Sequence, residues 1–481
     1  MDNIKKFLNT LNHMFHPSSL AIVGASENPA SFGYHFMKYV LNYGYSGRLF
    51  PITPKSEEIM GIKAYPELLQ VPGDVDYVIC CVNASLVKDL LTQCAKKNVK
   101  GVHLLTGRFS ETGSIEAKRL EDDIAQYAKE LDIRLIGPNC VGIYSPKTGI
   151  AFNHDLSGEA GTVGAIVQSG GFGGELVRYA GIRGVRFSKA VSYGNAVDLN
   201  ESDFLEYFLW DDETNTIALY IEGVRDGRRF LDTLNTVSEK KPIIVLKGGI
   251  GKVGSRSVAS HTASIAGGSE MWEIIYKQYN IVKASCANEF IDLITAFNYL
   301  PQITGYRVGI IGGGGGKSVL AADASEAAGL DVIPMPKYTK SYIADNDDTL
   351  ANWMDNPVDF SILPGSKLTT SGLLNTMAED PDFDLLIAII TEDNPYDEKL
   401  WTNWIINEAN EYINIANKNP KPLIAIMGNP ELSYKDRDTW RWKTMIEQRE
   451  RLIAARIPVF PSIDRAVSSI VKMINYYRRR R

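Results

Sequence analysis

The chain has 481 residues, with 51 Lys and Arg against 57 Asp and Glu for a formal net charge of -6, and 44% of its residues are hydrophobic against 22% charged. A chain of that length and balance can bury roughly three domain-sized cores, which excludes global disorder, and its mild acidity argues against a nucleic-acid platform. The five cysteines, at 80, 81, 94, 140 and 286, form no CxxC pair and fit neither a disulfide framework nor a zinc module, which points to a reducing compartment.

The N-terminal segment MDNIKKFLNTLNHMF carries Ile4, Phe7, Leu8, Leu11 and Phe15 at helical spacing behind an early Asp2. A secretory leader needs an unbroken apolar block, so the expectation is a docking helix on a cytoplasmic protein. From Ser18 onward one pattern occurs three times: a short apolar strand, a glycine-rich or small-residue loop, then a helical stretch. Its copies are SSLAIVGASENPASFGYHFMKYVLNYG from Ser18, GTVGAIVQSGGFGGELVRYAG from Gly161 and GYRVGIIGGGGGKSVLAADASEAAGL from Gly305.

Between the copies, further strand candidates such as VDYVICCVN, VKGVHLLTG, IRLIGPN, TIALYIEG, KPIIVLKGG, FDLLIAIITE and PLIAIMGN alternate with charged helical segments. This alternation predicts an α/β chain of doubly wound, mainly parallel sheets. Interruptions at GPNCVGIYSPKTG and YLPQITGY divide it into 1–150, 151–303 and 304–481. No apolar run reaches the ~18 residues that span a bilayer, so no membrane association is expected. The terminal basic run Arg478 to Arg481 reads as a solvated tail or helix end.

A glycine-rich turn that opens a helix presents backbone N–H groups at the positive end of the helix dipole, which suits an anion. The first loop, Gly24-Ala25-Ser26 with Gly33 beyond, is not GxGxxG, and the following strand ends in PITPKSEEI without the acid that would hold an NAD ribose. Lys55, directly after that strand, is expected at the carboxyl edge of the sheet, where a cation can neutralise nucleotide phosphates. The third loop, Gly312 to Gly316 followed by Lys317 and Ser318, falls one residue short of a P-loop because position 311 is isoleucine. It reads as a turn that allows close backbone approach.

The six histidines are scattered, no HExxH occurs, and ADNDDTLANWMD lacks the glycine of an EF-hand, so no bound metal is expected. His261 is the informative one, because it sits in KGGIGKVGSRSVASHTASIAGGSEMW among small residues between the strand PIIVLK and a predicted helix starting near Ser269. A loop of this length is commonly functional, and an imidazole in such company suits presentation to a ligand.

Taken together, VGAS with Gly33, PITPK, GPNC from Gly137, QSGGFGG from Gln168, YIEGVRDGR from Tyr220 and SHTASIAG from Ser260 resemble the α subunit of ADP-forming acyl-CoA (acetyl-CoA) synthetases, in the succinyl-CoA synthetase superfamily. The resemblance implies a CoA-binding Rossmann-like domain at 1–150, a flavodoxin-like ligase domain carrying a phosphohistidine at 151–303, and a second flavodoxin-like ligase domain at 304–481. It carries His261 onto the phosphohistidine, Glu222 onto the carboxylate that orients it, and Ser169, Gly170 and Gly171 onto the helix N-terminus that cradles the phosphate. For CoA it implies Gly24, Ser26, Lys55, Asn83, Thr106 and Asn139, at the ends of successive strands.

The expected reaction is acid + ATP + CoA = acyl-CoA + ADP + phosphate, through phosphohistidine and an acyl phosphate, on a small carboxylic acid. No stretch resembles an ATP-grasp domain, so the resemblance implies a separate ATP-grasp β subunit that holds ATP or ADP and Mg2+, in an αβ or α2β2 assembly. Two other readings stand beside it: an ATP-independent acyl or carbamoyl transferase on the same scaffold, and a non-catalytic CoA-binding regulator.

Overall fold

The apolar runs are too short for helices and too uniformly apolar for half-exposed strands, and they form strands buried on both faces. The computed structural model describes residues 2–251, 253–254, 269–363, 365–391, 396–428 and 438–480. These residues form two compact units, Met1–Phe290 and Ile291–Arg481.

The first unit holds two sheets. Strands Ser19–Val23 (β1), Arg48–Ile52 (β2), Tyr77–Cys80 (β5), Gly101–Leu104 (β6) and Arg134–Ile136 (β7) pair in the order β2-β1-β5-β6-β7, all parallel, with Glu58–Ile59 (β3) and Ile62–Lys63 (β4) making a small hairpin beside them. The chain runs first to one side of β1 and then to the other, which opens a crevice at the carboxyl ends of the strands, where ligands bind in such sheets. The helix Asp2–Phe15 covers this sheet, with Leu11, Met14 and Phe15 fully buried. The fit is close: a Cβ at Gly101 would lie 2.4 Å from the Met14 sulfur.

The second sheet runs Val282–Ala284 (β13), Ile243–Lys247 (β12), Thr216–Ile221 (β11), Val163–Val167 (β9), Phe187–Ser192 (β10), Gly142–Tyr144 (β8). All its pairs are parallel except β8 with β10, so the chain enters this sheet at residue 142, soon after the GPNC turn. Here too the direction switches, between β9 and β11.

In the second unit, Val308–Gly312 (β14), Leu385–Ile389 (β15), Leu423–Ile426 (β16) and Val459–Phe460 (β17) form a parallel sheet in that order. Its core gathers Leu386, Trp401, Ile405 and Tyr412, and Asp292, 1% exposed, is held by a two-pronged bond from Arg465 at 2.6 and 3.0 Å. The three repeated sequences thus become the same unit three times: β1 with the helix Phe32–Asn42, β9 with the helix Gly170–Ile182, and β14 with the helix Gly314–Ala328. Among the described residues no helix is long and apolar enough to cross a membrane.

Candidate functional site

At the carboxyl edge of the second sheet, β9 ends and the helix Gly170–Ile182 begins at Ser169, whose hydroxyl oxygen accepts from the Phe172 amide at 3.4 Å. This cap leaves the amides of Gly170 and Gly171 at the positive end of the helix. A Cβ at Gly171 would meet nothing within 4 Å, so that surface is open. On the neighbouring strand β11, Glu222 follows directly after Ile221.

Gln168 ties the two strand ends together. Its buried side-chain oxygen accepts from the Glu222 amide at 2.7 Å and from the Gly223 amide at 3.0 Å. The Tyr220 hydroxyl donates to Glu222 Oε1 at 3.0 Å, and the Tyr220 ring packs on Phe172 with centroids 4.5 Å apart. Behind them Lys247, 4% exposed at the end of β12, donates to the Glu222 carbonyl at 2.7 Å and also to the Gly248 carbonyl. Burial pulls this ammonium down to about 8, against the opposing pull of the Glu222 charge. A carboxylate held by a tyrosine, over a lysine-braced main chain and beside an open helix start, is suited to orient an imidazole and receive an anion.

His261 lies outside the described residues. The described chain on its two sides includes Gly248 to Gly251, after β12, and the helix Ser269–Gln278. Because Ile221 pairs with Lys247, the segment after β12 starts at the same sheet edge as Glu222.

The six residues expected to face CoA come together along the carboxyl edge of the first sheet. Gly24, with φ of +90°, ends β1, and its amide donates to the Ile52 carbonyl at 2.9 Å. Ser26 Oγ accepts from the Asn28 amide at 3.0 Å. A Cβ at Gly33 would fall 1.9 Å from the Gly24 carbonyl oxygen, so glycine there lets the following helix seat against the loop. Lys55 is exposed just past β2, and Asn83 is exposed past β5. Thr106, past β6, donates its hydroxyl to the Val82 carbonyl, and its own carbonyl accepts from the Asn139 amide at 3.0 Å. Asn139, past β7, is exposed with φ of +58°.

Beneath this edge His103 is fully buried and donates from Nε2 to the Cys140 carbonyl at 3.0 Å. Burial lowers its ring to about 4, so it is neutral at pH 7. Cys140 itself is buried among packing atoms and burial pushes its thiol up, as fits a packing residue.

The third glycine-rich loop is different. Gly312, Gly313 and Gly314 take φ of +100°, +88° and +72°, Lys317 donates to Thr391 Oγ1 at 2.5 Å, and a Cβ at Gly315 would lie 3.0 Å from an Asp359 carboxylate oxygen. No group of three or more His, Cys, Asp or Glu among the described residues could hold a metal ion.

Gln168 opens the QSGGFGG motif, but the motif reading gives it no role, and Lys247 reads there only as the end of a strand. The available signals were the glutamine directly before SGG and a lysine ending an otherwise apolar strand, a position where a charge needs a reason.

Residues 18–146 match the CoA binding domain family and residues 160–297 the succinyl-CoA ligase like flavodoxin domain family. The α subunit of acetate–CoA ligase [ADP-forming] II from Pyrococcus furiosus is 37% identical over 79% of this chain and 82% of that relative. The chain belongs to the ADP-forming acetate–CoA ligase family. Within that family, the acetate–CoA ligase [ADP-forming] of Methanocaldococcus jannaschii is 39% identical over 73% of this chain, which spans only 49% of that relative's length. Among solved structures, the dinucleotide-forming acetyl-coenzyme A synthetase 1 of Ca. Korarchaeum cryptofilum, in complex with phosphate and ADP, superposes with a TM-score of 0.80 at 28% identity, covering 98% of this chain and 97% of that one. The family resemblance read from the motifs is thereby established, as is the α/β fold of mainly parallel sheets.

Proposed function

We propose that this chain is the α component of an ADP-forming acid–CoA ligase and that it carries the phosphoryl group on His261. The observation that carries the reading is the bridge made by Gln168, which holds Glu222 beside the open N-terminus of the helix Gly170–Ile182. A neutral imidazole is nucleophilic near pH 7 when a carboxylate keeps one ring nitrogen protonated and leaves the other free. Glu222 is the carboxylate, and Ser169, Gly170 and Gly171 form the cradle for the phosphate. His261 accepts the γ-phosphoryl group of ATP, releasing ADP, and passes it to the carboxylate of a small acid. The CoA thiol then attacks the acyl phosphate, giving acyl-CoA and phosphate, so that the sum is acid + ATP + CoA = acyl-CoA + ADP + phosphate.

The edge formed by Gly24, Ser26, Lys55, Asn83, Thr106 and Asn139 takes CoA, with the exposed Lys55 facing its phosphates. ATP or ADP and Mg2+ belong to a partner, for which we favour an ATP-grasp β subunit in an αβ or α2β2 assembly. Two facts support the partner: the Pyrococcus relative bears the name of an α subunit, while the Methanocaldococcus relative, named without a subunit, is about twice the length matched here. The division at 1–150, 151–303 and 304–481 then separates CoA binding, phosphoryl transfer and a second ligase domain. Unpaired cysteines, three of them deeply buried, suit a cytoplasmic enzyme. The ADP-forming names of the relatives favour ligation over an ATP-independent transferase or a silent regulator.

The test combines binding with catalysis. Calorimetry with CoA is expected to give a site on the chain alone that Lys55→Ala weakens about tenfold. Acyl-CoA synthesis from acid, CoA and ATP is expected only when the co-expressed partner is added, and synthesis by the purified chain alone would overturn the division of labour.

A further inference from the structure

Asn195, 2% exposed, stands where the two sheets of the first unit meet. It lies between Gly194 and Ala196, whose φ angles are +54° and +55°. Main-chain bonds seat this turn on the turn after β7: the Asn195 amide donates to the Pro138 carbonyl at 3.0 Å and the Val197 amide to the Gly137 carbonyl at 3.1 Å. A Cβ at Gly194 would lie 2.3 Å from the Pro138 carbonyl oxygen, so the approach depends on glycine there.

The side chain reaches into the loop that follows Thr106. Its Nδ2 donates to Glu111 Oε2 at 2.7 Å and to Glu121 Oε2 at 2.8 Å, and its Oδ1 accepts from Asn139 Nδ2 at 3.5 Å. Glu121 is 1% exposed, and the same oxygen accepts from the Ser110 amide at 3.2 Å and hydroxyl at 2.7 Å. Glu111 in turn accepts from the amides of Arg108 and Phe109 at 2.5 and 3.1 Å. The Asn195 carbonyl accepts from the guanidinium of Arg225 at 2.5 Å, on the loop that begins with Glu222, and the same guanidinium lies 3.7 Å from the other oxygen of Glu121. A buried amide is retained only where its bonds are made, and these bonds run to two different ligand edges rather than to its own sheet.

We propose that Asn195 is a positioning residue that keeps the two edges in register, its side chain fixing the loop after Thr106 together with Asn139, and its carbonyl fixing the Arg225 end of the Glu222 loop. This rests on the assignment of CoA to the first edge and of the His261 phosphoryl group to the second. Removing the side chain releases only the first edge, whereas removing Arg225 releases the second and also takes from the first the ion pair that Arg225 makes with Glu121 at 3.7 Å. The side-chain change therefore acts at one edge and the Arg225 change at both, a difference that a residue that merely supports folding would not produce.

The experiment uses the complex of this chain with its nucleotide-binding partner and follows two half reactions: labelling of the chain by ATP, and formation of acetyl-CoA from acetyl phosphate and CoA. With Asn195→Ala, labelling is expected to stay within about twofold of wild type while the KM for CoA rises about tenfold or more. Arg225→Met, which also unpairs Glu121, is expected to slow labelling and to raise the KM for CoA as well. An unchanged KM for CoA in Asn195→Ala, or equal losses in both half reactions alongside a lower Tm, would overturn the proposal. If Asn195→Ala does not fold, Glu111→Ala, at a partly exposed carboxylate, must show the same split or the proposal falls. A wild-type complex that takes no label and binds no CoA refutes the underlying assignment, and the proposal with it, before any variant is compared.

Discussion

Two loops of this chain are built from the same sequence idea and end differently. After β9, the QSGG turn leaves a helix start with free space beyond Gly171, and the nearest strand end brings Glu222 alongside, held through Gln168. After β14, five glycines and a lysine open the helix Gly314–Ala328, but Asp359 stands beside Gly315 and Lys317 is bonded to Thr391. In the second case a carboxylate of the chain stands at the helix start, while in the first the Ser169 cap takes the Phe172 amide and the space beyond Gly171 stays open. A glycine-rich loop is thus a permission for close approach, and its neighbours decide what approaches. The loop with fewer glycines is the better candidate site.

The largest effect that sharpens this contrast is expected from Glu222→Gln. Losing the charge proposed to orient His261 should slow phosphoryl transfer about 100-fold or more while CoA affinity stays unchanged, because the carboxylate touches no part of the CoA edge in this account. Asp359→Asn should leave synthesis within about twofold. Rapid-quench labelling and CoA calorimetry on the two variants check the pair, and equal losses would erase the distinction between the loops.

A second expectation separates the units by their response to acid. His103 is neutral in the fold, its ring lowered to about 4 from 6.5 by burial. Its contribution is therefore whole above about pH 6.5 and is lost as pH falls toward 4, since the unfolded chain takes up the proton first. The loss amounts to about 2 kcal/mol by pH 5 and about 3 kcal/mol by pH 4. Hydrogen exchange at the amides of β6 and of the turn at Asn139 should accelerate over that range, and His103→Gln should remove that part of the slope. An identical slope in His103→Gln would assign it to other groups.

The smallest effects are steric. Gly312→Ala puts a Cβ 2.3 Å from the Ile389 carbonyl oxygen at a φ of +100°, and is expected to destabilise the second unit by about 1–3 kcal/mol. Gly171→Ala meets no atom and should leave stability within about 1 kcal/mol, while crowding the phosphate cradle enough to slow labelling. Calorimetric melting of both variants checks the difference.

The repeated strand, loop and helix were legible because buried parallel strands read as short apolar runs and the turns after them as glycine and serine. For the same reason Gly24, Ser26, Lys55, Asn83, Thr106 and Asn139 could be assigned to one edge: in a doubly wound sheet the end of each strand lies on the same side. Asn195 was not legible, since the carboxylates that give it meaning lie 74 and 84 residues away in sequence. Gln168 and Lys247 act across strands, on the main chain at Glu222 and Gly223, and local spacing carries no trace of such bonds. In the third loop the glycines read as a turn that allows close backbone approach, and only the fold shows that Asp359 is the group beside Gly315.

The central claim is that the chain carries its phosphoryl group at the edge shared by β9 and β11. Its most direct test is brief incubation of the complex with labelled ATP, followed by phosphopeptide mapping at alkaline pH, where phosphohistidine survives. The account predicts one acid-labile, base-stable label on His261, absent in His261→Ala. Label on the second unit, or undiminished acyl-CoA synthesis by His261→Ala, would contradict it.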